Sequence, residues 1–149
     1  MTMPVDAFRL FQLASQGFCC SQILLMTGLE AMGKENPDLV RAMHGLCGGL
    51  GRSGGTCGAL TGGICLIGLY AGKGTAEEEP DPDINVMIWE LLDWFDGTYK
   101  TRDCLGILHY KLEPDSDYPV QCGGFISDTY NKVMEILDAH RNPAETENT

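Results

Sequence analysis

Seven cysteines, Cys19, Cys20, Cys47, Cys57, Cys65, Cys104 and Cys122, carry most of the chemistry this sequence could perform. Their spacing narrows it. No C-x-x-C occurs, which excludes thioredoxin-like redox motifs, zinc ribbons, bacterial ferredoxin runs and c-type haem attachment. An odd count argues against full pairing, and a bridge between the neighbours Cys19 and Cys20 would be strained. What remains is a dispersed set of thiols near predicted helix starts. Cys20 opens the second helix, Cys57 the fourth and Cys104 a short one, and Cys122 just precedes the last. A helix start offers unsatisfied amide N–H groups and the positive end of the helix dipole, both of which favour thiolate. If those four ends meet in space, Cys20, Cys57, Cys104 and Cys122 form a tetrathiolate suited to an iron–sulfur cluster or to zinc.

Cys57 has the most activating surroundings. It lies where a loop becomes a helix, with Arg52 nearby, so a low-pKa thiolate that attacks disulfides is the catalytic alternative, with Cys104 or Cys122 resolving. Cys65, among Ile64, Leu66 and Ile67, reads as a buried core residue. Cys47 follows His44 by three residues, within reach of one ion on a helix, and is an alternate ligand. His109 and His140 have no partner at ligand spacing and are expected to be solvated.

Nine of the nineteen residues from Gly45 to Gly63 are glycine. Gly49-Leu50-Gly51-Arg52-Ser53-Gly54 matches G-x-G-x-x-G, but a helix rather than a strand precedes it and no acid occurs between Asp38 and Glu77, which argues against a dinucleotide site. Packing explains the glycines better. Gly54, Gly58 and Gly62 recur every four residues, as do Gly68 and Gly72, along one side of a helix. Each mid-helix glycine costs about 1 kcal/mol relative to alanine, so a close neighbour must compensate: another helix, a second copy of the chain in a homodimer, or a bulky inorganic cofactor. The loop amides of Gly54, Gly55 and Thr56 are candidate donors to cofactor sulfurs, which would raise a cluster's potential.

Helical periodicity organises the rest. Val5, Phe8, Leu10, Phe11 and Leu13 predict a first amphipathic helix ending near Gly17. A second runs from Cys20 or Ser21 to about Met32, and a third from Pro37 to Leu46. The Gly-rich helix spans about Thr56 to Gly72. A connector from Thr75 to Asp83 leads to a fifth over Ile84 to Phe95. Thr101 to Leu108 is short, Pro114 to Pro119 breaks the chain, and Gly124 to His140 is last. No period-two alternation supports a sheet. The expectation is an all-α, single-domain bundle of about six or seven helices over residues 1–141, with a central Gly-rich buried helix and a flexible acidic tail at 142–149.

Twenty-one acidic and ten basic residues give a net charge of −11, no footprint for nucleic acid or for anionic membranes. The apolar stretch from Ile64 to Ala71 is far short of the ~20 residues of a spanning helix. With no leader apparent, the chain reads as cytoplasmic, where thiols stay reduced and cysteines serve metal or redox chemistry.

Gly17-Phe18-Cys19-Cys20-Ser21-Gln22, the block from Gly48-Gly49-Leu50-Gly51-Arg52 to Thr56-Cys57-Gly58-Ala59-Leu60-Thr61-Gly62-Gly63, and a late cysteine before a terminal helix resemble the C_GCAxxG_C_C family of redox-active proteins. The likeness spans Phe8 to Leu137. It implies a small, helical, cysteine-dependent redox or metal protein, and a related domain of some multihaem cytochromes, associated with an iron–sulfur centre, tilts the metal choice that way. Cys20, Cys57 and Cys122 fall on the family's first, second and last cysteines. The third falls on Thr101, and Cys104 stands three residues later, one helical turn along the same face. Cys47 occupies a position usually Gly, and Cys19 one that is commonly Asn. The leading expectation is therefore an electron-transfer protein in which Cys20, Cys57, Cys104 and Cys122 hold an iron–sulfur cluster and serve a redox partner protein. A thiol–disulfide oxidoreductase and a structural zinc site or partner-binding helical module are the alternatives.

Overall fold

The computed structural model describes residues 6–110, 112–113 and 122–141. Among these the chain is all-α, with seven helices and one short 3-10 turn, and the only extended pairing is an isolated bridge between Thr56 and Asp103. The Pro114 to Pro119 break and the 142–149 tail lie outside the described residues.

Helix α1 (Ala7–Ser15) is capped by the Asp6 carboxylate, which accepts from the Phe8 amide at 2.9 Å. Its buried face is narrower than the periodicity suggested. Leu10 and Leu13 point into the core, whereas Phe8 and Phe11 are 67% and 70% exposed. Leu10 and Leu13 are three residues apart and share a face; the phenylalanines fall on the other side.

Helices α2 (Cys20–Ala31) and α4 (Gly58–Ala71) are the interior pair. Both bury residues around most of their circumference, as central helices must. Glycine sets how closely they approach. A Cβ on Gly62 would lie 3.1 Å from both the Cα and the carbonyl oxygen of Ser21, and one on Gly28 would overlap the Leu66 side chain. The Gly58 and Gly62 stripe is thus filled by α2 of the same chain. The second glycine series is different: a Cβ on Gly68 would meet nothing within 4 Å, and the nearest atoms to one on Gly72 would be the main chain of Gly68 in its own helix.

Helix α3 (Pro37–Ala42) begins with Asn36 capping the Leu39 amide at 3.1 Å and Pro37 at the first helical position. It ends earlier than Leu46, passing into the 3-10 turn His44–Leu46. Helices α5 (Ile84–Tyr99) and α7 (Cys122–Arg141) close over α4, burying Met87, Leu91 and Phe95 from one and Ile126, Tyr130, Val133, Ile136 and Leu137 from the other. His140 is not solvated as expected: its ring nitrogens lie 2.7 Å from Glu90 Oε1 and 3.2 Å from Asp83 Oδ2, fastening the end of α7 to the first half of α5 and its N-cap. Helix α6 (Cys104–Leu108) is short and sits over a small separate core of Cys104, Leu108 and Leu112. No helix among the described residues is long and apolar enough to cross a membrane.

Candidate functional site

The Gly-rich segment before α4 is a left-handed loop, not helix. Gly48, Gly49, Leu50, Gly51 and Arg52 have φ of 65°, 74°, 67°, 66° and 63° in succession. Only glycine enters this region without steric cost. Gly48 and Gly49 also leave no room for a side chain, since Cβ atoms there would lie 2.8 Å from Arg52 Cα and 2.5 Å from the Gly55 amide nitrogen. The loop closes on itself through Gly51 N–H to Gly45 O (2.8 Å), Arg52 N–H to Cys47 O (2.9 Å) and Gly55 N–H to Gly49 O (2.9 Å).

From the loop the chain runs antiparallel to the segment before α6. The Cys57 amide donates to Arg102 O at 2.7 Å, and the Cys104 and Leu105 amides donate to Gly55 O at 2.6 Å and Gly54 O at 3.2 Å. This short ladder sets Cys57 and Cys104 side by side, with Cys57 capping α4 and Cys104 opening α6. Cys20 is the first residue of α2 and Cys122 the first of α7.

All four sulfurs line one cavity. Its walls among the described residues are Cys20, Cys57, Cys104 and Cys122 with Gly48, Gly58, Ala59, Ile107, Leu108, Leu112 and Phe125, so the thiols are the polar side chains that face it. Its volume is about 10 Å³, the room of a single water. Gly58 is part of the cradle: a Cβ there would overlap Cys20 Sγ. The spatial convergence of Cys20, Cys57, Cys104 and Cys122 is thereby present, and Cys104 supplies the sulfur where Thr101 lacks one. Thr101 instead packs its side chain against Gly106 and accepts from the Asp103 amide at 3.1 Å.

The electrostatics run against a free nucleophile. Burial first, then the neighbouring Cys20, pushes the Cys57 thiol up to about 11, although the Ala59 and Leu60 amides of α4 pull the other way. The expected lowering of Cys57 is thus outweighed by desolvation. Arg52 directs its guanidinium to the Glu113 carbonyl oxygen at 2.8 Å. Burial and then Cys20, Cys57 and Cys104 push Cys122 up to about 12. Cys20 and Cys104 are raised by burial and by their sulfur neighbours, Cys20 against opposing hydrogen bonds from the Gly48 and Ser21 amides.

Other candidates stand elsewhere. The Gly54 and Gly55 amides, expected to face a cofactor, are occupied by the loop itself, donating to Gly48 O (3.2 Å) and Gly49 O (2.9 Å). Gly54, Gly55 and Thr56 do not line the cavity; Thr56 is in the bridge to Asp103. The amide that meets a sulfur from this loop is that of Gly48, which the sequence did not single out. Cys47, expected as an alternate ligand, is in a disulfide with Cys19, their Cα atoms 5.9 Å apart, and lies outside the cavity wall. His44 lines a surface groove instead. Cys65 is half-buried in mid-α4 beside the α2–α3 core. The disulfide had no local signal: Cys19 and Gln22 have capping-box spacing, and the Gln22 side chain accepts from the Cys19 amide at 3.2 Å, which fixes Cys19 at the start of α2 but points to no partner.

Fold and site together define a helical protein with a buried centre of four thiols, each at or beside a helix start. The chain belongs to the C_GCAxxG_C_C family, described as "Putative redox-active protein (C_GCAxxG_C_C)", whose sequence profile matches residues 18–136. No curated protein and no solved structure gave a significant match.

Proposed function

We propose that the protein is an electron carrier whose Cys20, Cys57, Cys104 and Cys122 hold an iron–sulfur cluster. The observation that carries this reading is the convergence of four sulfurs, from four distant chain segments, on one cavity with no other polar side chain in its wall among the described residues. The donor set suits iron and sulfide, for which cysteine thiolate is the usual ligand. The charge logic agrees. No cation among the described residues acts on these buried thiols, so they stay protonated until a bound cation removes those protons outright. When bound, a cluster would supply one-electron chemistry. The protein's own part is to deliver four sulfurs, to direct the Gly48 and Ser21 amides to Cys20 and the Ala59 and Leu60 amides to Cys57, and to keep water out with Ile107, Leu108, Leu112 and Phe125. Amides on the sulfurs raise the reduction potential.

Two geometric facts shape the proposal. Among the described residues no three His, Cys, Asp or Glu are placed to hold one metal ion, whereas a single zinc needs every sulfur about 2.3 Å from one point. A polynuclear cluster spreads its ligands over separate irons and takes a wider ring. The cavity is nonetheless small, so loading has to spread the sulfurs. Cys104 and Cys122 belong to the satellite core under α6, not to the main one, and are the pair placed to yield.

Anaerobic reconstitution with iron and sulfide, followed by metal and sulfide analysis and a visible spectrum, tests the reading. Stoichiometric iron and sulfide with visible absorption are expected. Protein that stays colourless and binds neither overturns it.

A further inference from the structure

We propose that Cys19 and Cys47 form a second redox site, a reversible cystine that exchanges two electrons and two protons with a small dithiol. The proposal is independent of the cluster. The bond joins the start of α2 to the head of the left-handed loop, and both residues are 2% exposed. Its surroundings suit both redox states. Ser21 Oγ lies 3.1 Å from Cys47 Sγ, and Gln22 Oε1 lies 3.4 Å from Cys19 Sγ. Each oxygen is an acceptor for the S–H that appears beside it when the bond opens, so neither new thiol is buried without a partner.

The same two side chains provide a route and a leaving-group contact. Gln22 forms part of the wall of an open groove of about 470 Å³ between α1, α2 and α3. Gln22 thus touches Cys19 through its Oε1 and also forms part of the wall of a space wide enough for a small dithiol. Its hydrogen bonds to the Cys19 amide (3.2 Å) and Val40 O (3.2 Å) hold it closed. A thiolate of the dithiol attacks Cys19 Sγ, the Cys19–Cys47 bond breaks, and Cys47 leaves with the electron pair and takes up a proton. The dithiol's second thiolate then attacks its own sulfur in the mixed disulfide. Cys19 leaves as thiolate and takes the second proton, and the reagent ends as a cyclic disulfide. Ser21 donates to Met43 O at 2.9 Å in the closed state. It turns to the Cys47 thiolate as that forms, favouring it as leaving group.

The full-length protein is incubated natively with dithiothreitol, then with oxidised dithiothreitol. At each stage it is quenched in acid, denatured and alkylated without further reductant, and the labels are counted and mapped by mass spectrometry, with iron measured in parallel. The result expected is five labels as isolated, seven after reduction and five after reoxidation, the change mapping to Cys19 and Cys47 at unaltered iron content. Ser21→Ala is expected to slow reduction at least about tenfold. A count that stays at five under native reduction, a count of seven that oxidised dithiothreitol does not lower, a bond mapping to other cysteines, or an unchanged rate in Ser21→Ala overturns the proposal. Iron that stays absent after reconstitution contradicts the cluster and leaves this outcome readable.

Discussion

Replacing Gly58 by alanine puts one methyl group where Cys20 Sγ now lies, and its escape is blocked by main chain: the new Cβ is 3.2 Å from Leu46 O and 3.4 Å from the Ser21 amide nitrogen. Overpacking of this kind costs about 1–3 kcal/mol, and exchanging glycine for alanine in a helix returns up to about 1 kcal/mol. Taking the middle of the overpacking range, about 2 kcal/mol, and returning up to about 1 kcal/mol leaves a net loss of about 1–2 kcal/mol, a fall of roughly 2–8 °C in Tm for a chain of this size. Gly68→Ala in the same helix is the matched control. Its methyl meets nothing within 4 Å, so the propensity gain stands alone and Tm rises by roughly 2–4 °C. Thermal unfolding of the apo-proteins gives both numbers, and metal analysis after reconstitution gives a third, with Gly58→Ala holding less iron than the parent and Gly68→Ala as much. A Gly58→Ala protein that matches the parent in both Tm and iron would refute the argument that this glycine is the cradle of the Cys20 sulfur.

Three further outcomes follow from the same structure. In the apo-protein Cys57 and Cys122, held at about 11 and 12 by burial, should alkylate slowly at pH 8. Because their folded values lie above the unfolded one, the stability they contribute is complete below the unfolded thiol pKa and declines as pH rises toward 11 and 12, which denaturant titration at pH 7, 9 and 10.5 would register. His140 is raised by Glu90 and then Asp83, so its contribution is full below the unfolded value near 6.5 and is lost as pH climbs through the folded one; His140→Gln should flatten that part of the pH–stability curve. Cys65→Ala should leave iron content and spectrum unchanged, since Cys65 is outside the cavity wall, whereas Cys57→Ala should lower both.

How far the sequence reached depended on the kind of signal. Helix starts close to Cys20, Cys57, Cys104 and Cys122 follow from local periodicity and punctuation, although the last two helices were expected from Thr101 and Gly124 and begin at Cys104 and Cys122. The inward face of α1 was not legible, because Phe8 and Phe11 are as apolar as Leu10 and Leu13 and only tertiary packing chooses between them. A four-residue glycine spacing fitted a packing stripe at Gly58 and Gly62, but Gly54 belongs to a left-handed loop, where spacing has no helical meaning. The sign of the Cys57 shift was missed because a dipole can be placed from sequence and the depth of burial cannot. The Cys19–Cys47 bond joins residues 28 positions apart, and spacing alone did not select that partner.

Iron K-edge absorption spectroscopy of the anaerobically reconstituted full-length protein tests the central claim most directly. The account predicts a first shell of sulfur alone around each iron and a second shell of iron at short distance, both diminished in Cys57→Ser. Iron bound through oxygen or nitrogen, or isolated iron with no iron neighbour, would contradict it.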